Sequence, residues 1–260
     1  LNPQDATTKD YLGVIYNALK QPEKGFEYFR QAYLLYPRDH WYHYALLLYK
    51  NDDKHSRKEL LAVMKQATRL NPKDASVWDY MRQAALVNGK YDQAIQAQDR
   101  IDQLQGYDGM SAINRYRIYV IQGDLKKAMC AIDDYLVLYP DDLRFLLFRA
   151  DLLTAIQAPT DQLLENYEHI LRIDPANLMI LNNYAYLLAT SGGDLRKAEQ
   201  MSQQTIREQP ENPTFLDTYA WILHLQGQDS LAAFYIRKAL QNATPDERTE
   251  IEAHYHAIIK

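Results

Sequence analysis

The chain has 260 residues, 47% of them hydrophobic, enough for one large domain or two ordinary ones with an apolar core. Its 29 basic and 34 acidic residues leave a net charge of -5, which opposes the phosphate attraction behind non-specific nucleic-acid binding, so no nucleic-acid partner is expected. A single cysteine, Cys130, excludes an internal disulfide and a cysteine-based zinc site, and no apolar run reaches the ~18 residues a membrane span requires.

Prolines divide the chain at a fixed interval. Pro37, Pro72, Pro140, Pro175 and Pro210 lie 35, 68, 35 and 35 residues apart, each after an apolar helical run such as "QAYLLYP" or "HILRIDP". A residue without an amide proton ends one helix and leads into the next, and Gly106 breaks the chain where the sixth proline would fall. Gly89, Gly123, Gly193 and Gly227 mark a second point in the period, each placed to close a helix C-terminus in the left-handed conformation. The predicted unit is helix, tight turn, helix, proline, with a period of 34 to 35 residues.

In chain order, the first unit covers about 6–39, where Leu12, Ile15, Tyr16 and Leu19 give the spacing of an amphipathic helix. The second, 41–74, opens with the aromatic stretch "DHWYHYALLLYKND". Asp39 is its expected cap, and Tyr44, Leu47 and Leu48 are expected on the packing face. Units follow at 75–108, 109–142, 143–177, 178–212 and 213–244; the turn of the second lacks glycine and the fifth, at "QAPTDQ", carries an extra residue. The chain closes with a helix over 245–259. Thr244 is its expected N-cap, Pro245 its first residue and Glu247 the capping-box partner, and the stripe Ile251, Tyr255, Ile258 and Ile259 reads as a lid over the last unit.

The pattern resembles the tetratricopeptide repeat over nearly the whole chain. The first unit carries Leu12, Gly13, Tyr16, Gly25, Phe29, Ala32 and Pro37 at that family's offsets, Trp78 stands at its tryptophan position, and Ala94, Ala128, Ala198 and Ala232 recur where helices pack closely. The resemblance implies an all-α, right-handed superhelix: one solenoid over 1–260 of about seven helix-turn-helix repeats with a C-terminal capping helix. It also implies a non-catalytic scaffold that holds a protein or peptide in a concave groove, without a cofactor. Self-association through the terminal helices, giving a homodimer rather than a monomer, is one alternative; a small-molecule or glycan module using the aromatic groove is another. A further resemblance, to tyrosine-rich bacterial repeat proteins, some lipid-anchored outside the cytoplasm, favours a periplasmic or membrane-anchored location, with any anchor ahead of Leu1.

No phosphate-cradling glycine loop, nucleophile elbow or HExxH pair is present, so no catalytic residue is assigned. His254 and His256, two apart on a helix, point in nearly opposite directions, and His40 and His43 lack a third ligand at suitable spacing, so no metal site is assigned. In the resembled family the groove is lined by the second, fifth, ninth and twelfth residues of each first helix. The groove residues implied here are Tyr42, Tyr49, Arg117, Arg144, Asn182, Tyr186, Trp221 and His224, types suited to hot spots. A carboxylate clamp known in some members is matched in part, by Asn114, Arg117 and Arg144, while Asp79, Gln83 and Phe148 depart from it.

Overall fold

Asparagine or aspartate stands two residues after each of the period's five prolines, and after all but Pro37 the chain turns into helix there. Asp74, Asp142, Asn177 and Asn212 each accept a hydrogen bond from a first-turn amide, satisfying a donor that has no partner inside the helix. The computed structural model of the chain describes residues 5–259, and among these it holds helices and no strands.

The chain divides into two units, residues 1–135 and 136–260. The first holds α1 (Ala6–Ala18), α2 (Pro22–Leu35), α3 (Trp41–Asn51), α4 (Lys54–Leu70), α5 (Ala75–Val87), α6 (Tyr91–Gln105), α7 (Gly109–Gln122) and most of α8 (Leu125–Leu138). The second holds α9 (Leu143–Ala155), α10 (Thr160–Ile173), α11 (Leu178–Thr190), α12 (Leu195–Glu208), α13 (Pro213–Leu225), α14 (Asp229–Asn242) and α15 (Pro245–Ile258). Helices pair as α1 with α2, α3 with α4 and α5 with α6 in the first unit and as α9 with α10, α11 with α12 and α13 with α14 in the second, and pairs stack, α4 against α5 and α12 against α13.

Small side chains set the pairing distance. Ala94, Ala128, Ala198 and Ala232 are fully buried, and a Cβ placed on Gly13 would come within 2.6 Å of the Phe29 ring, so α1 and α2 approach only because that atom is missing. Phe29, Tyr44, Leu48, Leu60 and Met64 fill the core of the first unit. Leu216, Leu223 and Ile236 fill the last layer of the second, where Ile251 and Ile258 of α15 join them. Burying each isoleucine contributes about 1.5–3 kcal/mol, so α15 is a lid on that layer.

Tyrosine supplies bulk with a polar end, which suits a seam between helices. The Tyr44 hydroxyl donates to Glu59 on α4, Tyr33 donates to Gln66 at 2.7 Å, and Tyr184 on α11 donates to Glu168 on α10. Lys197 of α12 donates to the Tyr184 oxygen at 2.7 Å and lies 4.6 Å from that ring's centre, so three helices meet at one phenol.

Three expectations are corrected. Asp39 does not cap α3: His40 holds the N-cap position without a side-chain bond. The linker after Pro37 is one residue longer than the one after Pro72, which puts the aspartate one step too early. The left-handed glycine before α12 is Gly192, with φ of 74°, and not Gly193. Ile15 and Leu19 are exposed, because α1 packs on α2 through Gly13 while Tyr11, Val14, Ile15 and Leu19 face outward. The capping box at α15 forms between Thr244 and Glu247.

Turns inside the pairs adopt left-handed backbone at Gly89, Gly123, Gly192 and Gly227, but at Lys20, Asp52 and Gln157 a side-chain-bearing residue does so. Nothing lies within 4 Å of a Cβ added to Gly123, so its replacement costs backbone strain alone. Gly123→Ala should destabilise by about 1 kcal/mol and Gln157→Gly should stabilise by about 0.5 kcal/mol in denaturant melts. Equal midpoints for both variants and the parent would refute this account of the turns.

Candidate functional site

Polar and aromatic side chains gather in the second unit where α11, α13 and α15 stand side by side. Fifth positions of the first two helices supply Asn182 and Asp217, both more than nine-tenths buried. Ninth positions supply Tyr186 and Trp221, both half-buried. From α15, His254 places Nδ1 2.9 Å from each carboxylate oxygen of Asp217 and stacks on Trp221, with ring centres 4.4 Å apart and 25° between planes. The Tyr186 ring lies 5.9 Å from the same imidazole, tilted by 50°.

Beside this cluster is a pocket of about 250 Å³ lined by Asn182, Tyr186, Asp217, Glu247, Glu250 and Ile251, among others. Asn182 donates from Nδ2 to Asn183 Oδ1 at 3.4 Å, a weak bond, while its own Oδ1 is buried without a protein partner. A buried acceptor in that condition costs ~1–3 kcal/mol and marks a place where a donor is missing. Burial, then the charges of Glu250 and Asp217, push the Tyr186 hydroxyl above its ordinary range. The His254 imidazole is raised above its ordinary value: the Asp217 hydrogen bond is the largest cause, burial opposes it, and the charges of Asp217 and Glu250 add to it.

Of the groove residues implied by the sequence, Asn182, Tyr186 and Trp221 are therefore gathered here. His224 sits one turn beyond Trp221, its ring 5.5 Å away, and its Nδ1 is 2.7 Å from Asp229 at the start of α14. Arg144, at the start of α9, bonds the carboxylate of its own cap, Asp142, at 3.0 Å. In the first unit Tyr42 meets Tyr80 edge-on at 5.4 Å and 87°, beside Trp41, and burial together with the Tyr42 hydrogen bond pushes the Tyr80 hydroxyl up to about 12. Tyr49, two turns on from Tyr42, is exposed.

The residues matching the carboxylate clamp fall in both units, Asn114 and Arg117 on α7 and Arg144 on α9. Asn114 already donates to Gln98 at 3.1 Å, and its neighbour Arg115 is held by Asp99 and Asp102, while Arg117 is exposed. His43 and His40 of the aromatic stretch approach Asp10 of α1, at 3.0 and 3.9 Å. Among the described residues no three His, Cys, Asp or Glu side chains are placed to hold a metal ion, and no helix is long and apolar enough to cross a membrane.

Sequence reasoning passed over His254, which it weighed only against His256. The available signal was its place three residues after Ile251: a lid that buries Ile251 and Ile258 turns His254 toward the fifth position of α13.

No family model matches the chain, and no curated protein matches it in sequence. Solved structures do match. Yeast Tom70, at 18% identity and a TM-score of 0.51, aligns over 99% of this chain and 56% of its own. A MamA protein, at 13% identity and 0.53, aligns over 68% of this chain and 94% of its own; MamA from Desulfovibrio magneticus, at 17% and 0.53, aligns over 65% and 94%. The chain thus spans little more than half the length of Tom70. At these identities the likeness is one of fold: an all-α array of helical hairpins. The neighbours are tetratricopeptide-repeat proteins, and the chain has the tetratricopeptide-repeat fold.

His254 generates a pH prediction. Its proton is held more tightly in the folded chain, so its contribution to stability is complete below the ordinary value of 6.5 and is lost as pH rises through the raised folded value. Thermal melts between pH 5.5 and 8.5 should show that loss in the parent and a smaller one in Asp217→Asn, whose amide carries no charge. Identical pH profiles would remove Asp217 as the cause.

Proposed function

We propose that this protein is a non-catalytic interaction module and that α11, α13 and α15 form the surface on which it holds an extended polypeptide. The observation that carries the reading is the convergence of Asn182, Tyr186, Asp217, Trp221 and His254 from three alternate helices, each placed by backbone that is already ordered. A preformed surface pays little ordering cost on its own side, so modest contacts sum to useful affinity. Tyr186 and Trp221 are the anchors: each is half-buried, has two torsions to fix, and presents both a flat apolar face and a donor.

The tetratricopeptide-repeat fold supports the same reading, since its arrays keep one face for packing and leave another for partners. The site also lacks the pairing of a nucleophile with a base. Its one histidine, His254, is engaged by Asp217 and stacked on Trp221, and no serine or threonine hydroxyl is bonded to that ring. In the first unit, Tyr42 and Tyr49 of α3 are proposed as a second contact area with Asn114 and Arg117 as peripheral contacts; in the second, Arg144 and His224 are proposed as peripheral contacts.

Panning the immobilised chain against a random twelve-residue peptide library tests the reading. Enrichment of linear sequences is expected, with affinity falling at least about tenfold in Tyr186→Ala/Trp221→Ala, the loss of two hot-spot side chains. Circular dichroism of the variant guards against unfolding. Failure to enrich any sequence, or enriched peptides that bind the folded double variant equally well, would contradict the proposal.

A further inference from the structure

We infer that the pocket between α11, α13 and α15 takes a positively charged side chain, a lysine ammonium or an arginine guanidinium, from the bound polypeptide. The inference rests on the peptide-binding reading above and adds the chemistry of one anchor. Its floor is Asn182, whose buried Oδ1 has no partner in the protein. The amide is oriented by Nδ2, which donates to Asn183 Oδ1; turning it over would set two oxygens against each other, so the acceptor is the atom left for a ligand. What is missing at the floor is a donor.

The walls have the matching charge. Asp217, Glu247 and Glu250 line the pocket and no lysine or arginine does. His254 offsets part of this charge, but its bonded nitrogen is committed to Asp217. Glu250 stands exposed at the rim, one turn before His254, where a cation entering from solvent meets it first. Tyr186 lines the same pocket and offers an aromatic face, which attracts cations.

Helix N-termini could in principle draw an anion to the same place, since α13 and α15 both begin beside it. Their first-turn amides are partly taken: Asn212 accepts from Phe215 N–H, and the box of Thr244 and Glu247 closes the start of α15 with a carboxylate. That carboxylate cancels the positive end of the helix, leaving the pocket acidic. A volume of about 250 Å³ accommodates the four-carbon stem of lysine or the arginine head, with its donors directed to Glu250 at the mouth and, once the atoms covering it give way, to Asn182 Oδ1 at the bottom.

The experiment is a titration of the full isotopically labelled chain, followed by NMR, with three capped residues: Nα-acetyl-lysine, -norleucine and -glutamate N-methylamides. The lysine compound should give saturable shifts of the Asn182 side-chain amide and the backbone amides around Tyr186 and Glu250. Norleucine, with the same stem and no charge, should bind at least about fivefold more weakly, the loss of a charge-assisted hydrogen bond, and glutamate should not bind. Glu250→Gln, an exposed change that leaves the core intact, should weaken lysine binding; Asn182→Leu should weaken it further where its spectrum remains folded. Equal affinity for lysine and norleucine, preference for glutamate, or shifts confined to another face would overturn the inference. Because the probe is a single residue, lysine binding without any enriched peptide would leave this pocket standing and the peptide reading refuted. Enriched peptides with no lysine effect would do the reverse.

Discussion

Close approach of paired helices through residues with almost no side chain is the constraint from which the rest follows. Ala94, Ala128, Ala198 and Ala232 are fully buried, and Gly13 lets the Phe29 ring lie where a methyl group would otherwise be. With each pair drawn together, its remaining apolar surface can be covered only by a neighbouring pair, which is why pairs stack. The first helices of successive pairs then run side by side, and residues at matching positions become neighbours although the chain separates them by about one repeat. Asn182 and Asp217, 35 positions apart, line one pocket for that reason.

The last layer uses the same geometry with a different partner. Beside α13 and α14, α15 supplies Ile251 and Ile258 to the apolar side and His254 to the polar side. The hydrogen bond from His254 to Asp217 therefore has two consequences. It fixes the lid over the layer, and it holds an imidazole flat against Trp221. A helix that contributes to a candidate binding surface couples the stability of this layer to the shape of that surface.

The fold was legible because its determinants are punctuation and small residues at fixed intervals, and these act locally. Proline cannot continue a helix whatever surrounds it, and the Asx residue two places later caps the next one. Legibility failed where one residue of linker length altered the outcome, as at Asp39, and where adjacent glycines competed for one turn, as at Gly192 and Gly193. Three of the groove residues implied by the sequence, Asn182, Tyr186 and Trp221, meet in one unit because stacking preserves helix position. The depth of Asn182 was not legible. Whether a polar residue at the fifth position faces solvent or lies under its neighbours depends on what the adjoining helices set against it, here α12 and α13. His254 was missed for the same reason, since its partner Asp217 is 37 residues away.

The most direct test of the account is a crystal structure of the chain with a library-selected peptide bound. The peptide is predicted to run across α11, α13 and α15, in contact with Tyr186 and Trp221, with a lysine or arginine entering the pocket above Asn182. A peptide lying instead on the faces of α12 and α14, with Asn182 Oδ1 still unpartnered, would contradict it.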